Sequence, residues 1–368
     1  MLDKNLQRNK TGLKLGVITS GLAVVLASCG SSGSALSSAG SSSASSQGSQ
    51  LPSATTTSGS STSSAVTAGS STPQSSSSTA TTALNPQPVS GSFPLGDGKV
   101  LYGSAAVGYV DSCGLNNTNT RKVHGGPWIN TANNTWTPSA KVVVQGNNYY
   151  PSAYFHMSVA NGIRTVATDS VPVGMPVGTY PISPNDPAYQ YGKNPNHIIP
   201  NALSITLPAS PVVASSPSCL PQGPIGVLTN GVLLFNALDA GALDAAAHEV
   251  QDVCGGHPDA FGTYHYHNIS PCILNNTKGS STLVGYALDG FGIYVERNSD
   301  GSLVTNSQLD QCHGRISPVE WDGKVVDMYH YDATNEYPYT LGCFAGTVTS
   351  AAASSIGDAP NTLVQKQG

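Results

Sequence analysis

Charge is scarce in this chain of 368 residues: Lys and Arg number 15, Asp and Glu 20, together 10% of the whole. The formal charge of −5 comes with no basic patch, which argues against nucleic acid or an anionic membrane surface as the main partner. Beyond residue 30 no stretch approaches eighteen consecutive apolar residues, so nothing there reads as a spanning helix. There is no Cys-x-x-Cys pair, no Gly-x-Ser-x-Gly nucleophile elbow and no phosphate-cradling glycine loop. What is plentiful is punctuation. Forty glycines and 25 prolines, scattered among short β-prone runs, predict a mainly β (β-rich α+β) fold: a loop-rich antiparallel sheet domain with few short helices.

The first residues read as an address. Lys4, Arg8, Lys10 and Lys14 precede an apolar stretch from Leu15 to Leu26 that is too short for a permanent span. Leu26-Ala27-Ser28-Cys29 resembles a bacterial lipobox, in which the cysteine is lipidated; residues 1–28 are then a lipoprotein signal peptide. Gly30 follows the cysteine where an aspartate would signal inner-membrane retention, so the expected location is the cell envelope, at the outer membrane. From Gly30 to about Thr82 the chain is almost entirely Ser, Thr, Ala and Gly without a charge. Such a segment cannot bury enough apolar surface to offset its ordering entropy, so residues 29–85 are expected to be a disordered tether. Its reach is on the order of 35–45 Å. Residues 86–350 remain for the folded domain, with an N-terminal lobe over 86–220, a core over 221–350, and a tail over 351–368.

With Cys29 assigned to lipid, six cysteines are left: Cys113, Cys219, Cys254, Cys272, Cys312 and Cys343. An even set in an exported chain reads as three disulfides, and thiolate zinc ligands are the competing reading. The favoured pairing clamps Cys254 to Cys272 across a histidine-rich strand and Cys312 to Cys343 around the last lobe. Cys113 and Cys219 then tie the N-terminal lobe to the rest.

Strands are expected near 99–109, 141–144, 225–228, 232–234, 263–267, 282–287, 292–297 and 324–331. Asn230-Gly231, Asp289-Gly290 and Asp322-Gly323 lie between such runs and are dipeptides that tight hairpins prefer. An Ala-rich helix is predicted over 238–250, with Asp239 or Asp244 near its start and His248 and Glu249 on its last turn. Residues 172–200, rich in Pro, Gly and Asn, read as a long irregular loop.

Three of the nine histidines, His257, His265 and His267, fall within eleven positions. Successive strand residues face opposite ways, so His265 and His267 share one face while Tyr264 and Tyr266 pack beneath. Two imidazoles at this spacing are most of a three-histidine metal site. The structural alternative is a polar, disulfide-stapled strand.

The same segment carries a resemblance. Residues 231–272, with Tyr264-His265-Tyr266-His267 at their centre, resemble the YHYH-domain family of exported bacterial proteins. Supporting blocks are Thr229-Asn230-Gly231-Val232, Asn236 to Ala240, Gly285 to Tyr294 and Tyr337 to Phe344. The resemblance extends in order from about residue 100 to about 348. It implies an exported bacterial protein and assigns no settled activity. Tyr329-His330-Tyr331-Asp332 looks like a partly degenerate second copy of the aromatic-histidine strand. If the two strands are neighbours, His330 joins His265 and His267 on one metal, with His257 as fourth partner and Asp332 as a ligand or a support for an imidazole.

Among the acids, Glu249, Asp252, Asp289 and Asp327 are candidates for proton transfer, Glu249 and Asp289 foremost. Arg315, directly after His313 and Gly314, can grip a carboxylate or phosphate, or pair structurally with Asp310 or Glu320. His124, His156 and His197 belong to the N-terminal lobe. Together these residues support a metal-dependent hydrolase using zinc or copper, or a metal-binding module. The alternative is a surface recognition domain in which tyrosines and asparagines grip a carbohydrate or peptide and the histidines are structural. The expected partners are the membrane, through lipid on Cys29, and a small-molecule or glycan substrate. Replacing Cys29 with Ser should move the protein from membranes to a soluble fraction; a mutant that stays membrane-bound, read by fractionation and immunoblot, would exclude lipid at Cys29 as the anchor.

Overall fold

The computed structural model describes residues 87, 89–114 and 124–357; Cys29, the expected signal peptide 1–28 and the expected tether 29–85 lie outside the described residues. The centre of the fold is one eight-stranded sheet. Its strands in chain order are β1 (Pro224–Leu228), β2 (Leu233–Phe235), β3 (Gly256–Pro258), β4 (Tyr264–Tyr266), β5 (Ser281–Ala287), β6 (Gly292–Glu296), β7 (Gly314–Trp321) and β8 (Lys324–Asp332). Their order across the sheet is β3-β4-β2-β1-β5-β6-β8-β7.

That order reads the same from both edges. In each half a hairpin (β1–β2, then β5–β6) is followed by a strand that goes to the edge and a second that slots in parallel to the hairpin's outer strand. The two hairpins meet at the centre, where β1 and β5 pair antiparallel. The sheet is therefore mixed, with two parallel junctions inside the antiparallel arrangement the sequence suggests. Every residue of β1, β2 and β6 is buried, as strands covered on both faces must be. The expected hairpin turns are present: Gly231, Gly290 and Gly323 adopt φ of 92°, 95° and 78°, which only glycine takes without strain.

A second sheet, Phe155–Ala160, Ile163–Thr168 and Leu203–Pro208, was not visible in the sequence pattern. Arg164 joins it to the main sheet. Its buried guanidinium lies 4.6 Å and 4.5 Å from the Tyr286 and Trp321 ring centres and makes two 2.9 Å hydrogen bonds to Asp322 in the β7–β8 turn. Ser350–Gly357, at the start of the expected tail, is helical and buries Ala352; residues 358–368 lie outside the described residues.

The disulfides are Cys113–Cys219, Cys254–Cys272 and Cys312–Cys343, the favoured pairing. Other expectations need correction. The helix over 238–250 is a single turn, Ala245–His248. Asp239 competes for the backbone: its carboxylate accepts from Gly241 and Leu243 N–H at 2.7 and 2.8 Å, which holds 239–243 in a loop with Ala242 at φ 61°. The strand over 99–109 shrinks to Val100–Leu101, because Gly103 and Gly108 turn the chain at positive φ. At 141–144 only Val144 makes a β-bridge, to Asp252, while the half-buried Lys141 donates to Ala246 O and Gln251 Oε1. The 172–200 segment is irregular as expected, with one 3-10 turn at Pro187–Gln190.

Gly256 marks how tightly the sheet edge is built. A Cβ there would sit 2.2 Å from Cζ of Tyr264, whose ring is fully buried. Gly256→Ala should lower unfolding stability by about 1–3 kcal/mol in denaturant titration. An unchanged midpoint would show that this contact is not as tight as the geometry states.

Candidate metal centre

Three imidazoles converge on the cleft-facing side of the sheet edge. His257 on β3 stands directly across from His265 on β4, and His267 follows two residues on. The ring centres of His257 and His265 are 4.4 Å apart, and those of His265 and His267 4.9 Å. Phe235 of β2 stacks on His265 with centroids 4.0 Å apart. One ligating nitrogen from each of the three histidines lies within 4.8 Å of the others.

The opposite face holds this array still. Tyr264 and Tyr266 are fully buried beneath it; Tyr264 Oη donates to Asp252 at 2.8 Å, and Asn230 Nδ2 donates to Tyr266 Oη at 3.2 Å. Asp252 also accepts from the backbone N–H of Cys254, Gly256 and Gly178. Its carboxyl is pushed up to about 6 by burial, against the pull of those donors.

The fourth member comes from the short turn Ala245–His248. Asp244 caps it, and the Trp128 indole N–H donates to Ala247 O at 2.8 Å. The chain then turns extended and delivers Glu249 to the histidines. Glu249 Oε2 lies 3.0 Å from His257 Nε2 and 3.1 Å from His267 Nε2. Burial would raise the Glu249 carboxyl, but the charges of His257 and His267 outweigh it and hold it well below the usual range.

Proton placement is informative. His265 Nδ1 is 2.9 Å from Thr263 O, and His267 Nδ1 is 2.5 Å from Asn236 O. A carbonyl only accepts, so both Nδ1 atoms carry the hydrogen. The two Nε2 atoms are then left facing each other at 3.2 Å. Burial, reinforced by the charges of His257 and His267, holds His265 well below the ordinary imidazole range, so it is neutral. On His267 burial is opposed and outweighed by Glu249, which raises it. His257 Nε2 and Glu249 Oε2 are buried, yet neither makes an aligned hydrogen bond.

The centre lies on the wall of a cleft of about 1450 Å³, lined also by Tyr189, Tyr191, Asn194 and Asn196 from the irregular loop. These lining residues gave no distinguishing sequence signal. His124 lines the cleft too, with Nδ1 3.3 Å from Tyr191 O. His156 is exposed on the second sheet, stacked on Tyr154. His197 is exposed in the loop, and His248 pairs with Asp97 at 3.0 Å.

His330 does not join this centre. Five strand spacings separate β4 from β8, about 24 Å at 4.8 Å each. The two halves of the sheet are joined through their hairpins, which puts the histidine strands on opposite flanks. His330 belongs to a second cluster with Glu296 and Asp332, whose ligand atoms also lie within 4.8 Å of one another. Arg315 belongs there as well: it pairs with Glu296, and its Nε lies 3.1 Å from Asp332 Oδ2, so its partners are neither Asp310 nor Glu320. Asp289 is likewise no acid–base group of the histidine centre. Its carboxylate accepts from Tyr331 Oη at 2.5 Å and from the N–H groups of Phe291 and Gly346, as a turn residue does. Asp252 is structural in the same way, and Asp327 is exposed on the outer part of β8. Glu296 was missed; it stands at a strand end with no neighbouring motif to single it out.

Residues 204–305 match the model of a family described as YHYH protein. The match bears out the resemblance over the segment holding Tyr264 to His267 and ends before Arg315 and His330. No curated protein and no solved structure matches the chain.

Proposed function

We propose that His257, His265 and His267 hold a divalent transition ion, zinc or copper, on the wall of the cleft, in an envelope protein anchored through Cys29. The observation that carries this reading is the approach of the His265 and His267 Nε2 atoms to 3.2 Å while both Nδ1 atoms face carbonyls. Two ring nitrogens so close need a proton or a metal cation between them, and carbonyl-bound Nδ1–H groups are how ligating imidazoles are oriented. The spacing fits as well. Bonds of 2.0–2.1 Å in a tetrahedron put neighbouring donors about 3.3 Å apart, and the Nε2 atoms of His265 and His267 stand 3.2 Å apart. A proton on His267 shared with Glu249 is the metal-free form of the same centre.

The chemistry that suits the site is hydrolysis. A bound ion supplies a water acidic enough to attack at neutral pH. Glu249 lines the cleft and is held ionised, so it would be the group to take a proton from an attacking water. Tyr189, Tyr191, Asn194 and Asn196 line the space where a polar small molecule or a glycan is held. Tyrosine and amide surfaces of this kind also suit recognition without turnover, which is the second reading.

Elemental analysis of untagged protein should find one transition ion per chain, and His265→Ala with His267→Ala should remove it while leaving the three disulfides oxidised. Metal-free wild-type protein, or metal content unchanged in the double mutant, would end this reading. Glu249→Gln should retain the metal and lose at least tenfold of any turnover on an ester and phosphoester panel. Loss of the metal would make Glu249 a ligand and not the base; binding of oligosaccharide without turnover in wild type would favour recognition.

A further inference from the structure

The two halves of the sheet correspond residue by residue. In the first, Gly256 pairs with Tyr266 and His257 with His265; in the second, Gly314 pairs with Tyr331 and Arg315 with His330. Cys254-Gly255-Gly256-His257 thus stands where Cys312-His313-Gly314-Arg315 stands, with the second residue at positive φ in both, 78° and 70°. Asp252 holds Tyr264 Oη as Asp310 holds Tyr329 Oη. Asn230 and Asp289, each before the glycine of its hairpin turn, contact the hydroxyls of Tyr266 and Tyr331. His265 and His330 each place Nδ1 on the carbonyl two residues back, at 2.9 and 3.0 Å.

On this correspondence Arg315 replaces His257, and Asp332 replaces His267. We propose that the second cluster is a cation site of the same ancestry, filled by the Arg315 guanidinium in place of an ion. Removing that guanidinium then turns Glu296, His330 and Asp332 into a second metal site. Burial favours a positive partner there: the Glu296 and Asp332 side chains are 7% and 0% exposed, and neither Asp332 oxygen has an aligned hydrogen bond. Two buried carboxylates are costly without a positive partner. The Arg315 guanidinium pairs with both of them. The donors are spread accordingly. His330 Nε2 lies 3.4 Å from Glu296 Oε2 and 3.9 Å from Asp332 Oδ2, wider than in the first centre, as groups ranged around a planar guanidinium are. The set of one imidazole and two carboxylates is one that zinc accepts. The Arg315 side chain is 25% exposed, so the position it vacates opens to solvent.

The inference rests on the proposed first centre only for its analogy, and the test separates the two. Zinc per chain is measured by elemental analysis after dialysis for wild type, Arg315→His and Arg315→Lys, each with and without His265→Ala/His267→Ala. Arg315→His, which restores the first site's residue, should gain one zinc over its parent in both backgrounds, and its thermal stability should fall on chelation. Arg315→Lys, which keeps a charge, should gain none. If Arg315→His proves insoluble, Arg315→Gln reads the same increment. No increment in a folded, oxidised Arg315→His or Arg315→Gln overturns the proposal, as does a zinc that persists in His265→Ala/His267→Ala with Arg315 intact. A wild type without zinc or copper beside an Arg315→His with one zinc would sink the first reading and leave this one standing.

Discussion

Each flank of the sheet depends on a carboxylate behind its outer face, Asp252 buried at the first and Asp310 exposed at the second. Asp252 accepts from three backbone N–H groups and from Tyr264 Oη, and Asp310 accepts from Cys312 and Gly314 N–H and from Tyr329 Oη. Each bond satisfies a donor that would otherwise be stranded in the core. Together they fix the entry of an edge strand and pin the tyrosine of its neighbour. Because strand side chains alternate, a pinned tyrosine forces the next residue, His265 or His330, to the other face. The glycines at 256 and 314 follow from the same arrangement, since a Cβ at either would collide with that tyrosine.

The disulfides act on this same element. Cys254 and Cys312 each lie two residues after the capping aspartate, and their bridges tie the start of the edge strand to chain that follows the histidine strand. Cross-linking there limits fraying where the sheet would otherwise be loosest. The imidazoles are thereby held in place by parts that need no metal of their own. A ligand set with its supports already formed meets an ion without a large ordering cost.

Much of this was legible in the sequence, for physical reasons. Dipeptides such as Asn230-Gly231 and Asp322-Gly323 encode their turns locally, and alternation over Tyr264 to His267 encodes which side chains share a face. Glu249 was found, although the helix expected to carry it is one turn, because Asp239 diverts the backbone that would have formed the rest. Strand order was the part least open to reading. The likeness of the two tetrapeptides brings His330 to His265 only if their strands are neighbours, and likeness in a duplicated fold argues for equivalent positions and not for adjacent ones. The edge strand Gly314–Trp321 was hidden by Pro318, which an edge tolerates.

Duplication also explains why the two flanks differ in chemistry while sharing a frame. The frame residues (aspartate, glycine, tyrosine, cysteine) are kept in both halves because each packs against the others, and changing one strands a buried polar group or creates a clash. The residues on the outer face answer only to what sits there. The first flank, beside the irregular loop and its cleft, carries three histidines and one acid. The second carries one histidine, two acids and an arginine, a set that neutralises itself. A buried array of ligands has to be balanced by some cation, and an arginine on a neighbouring strand supplies one without dependence on the metal content of the surroundings. On the second flank the chain's own arginine thus pairs with both acids, whereas the first flank leaves its histidines turned to the cleft.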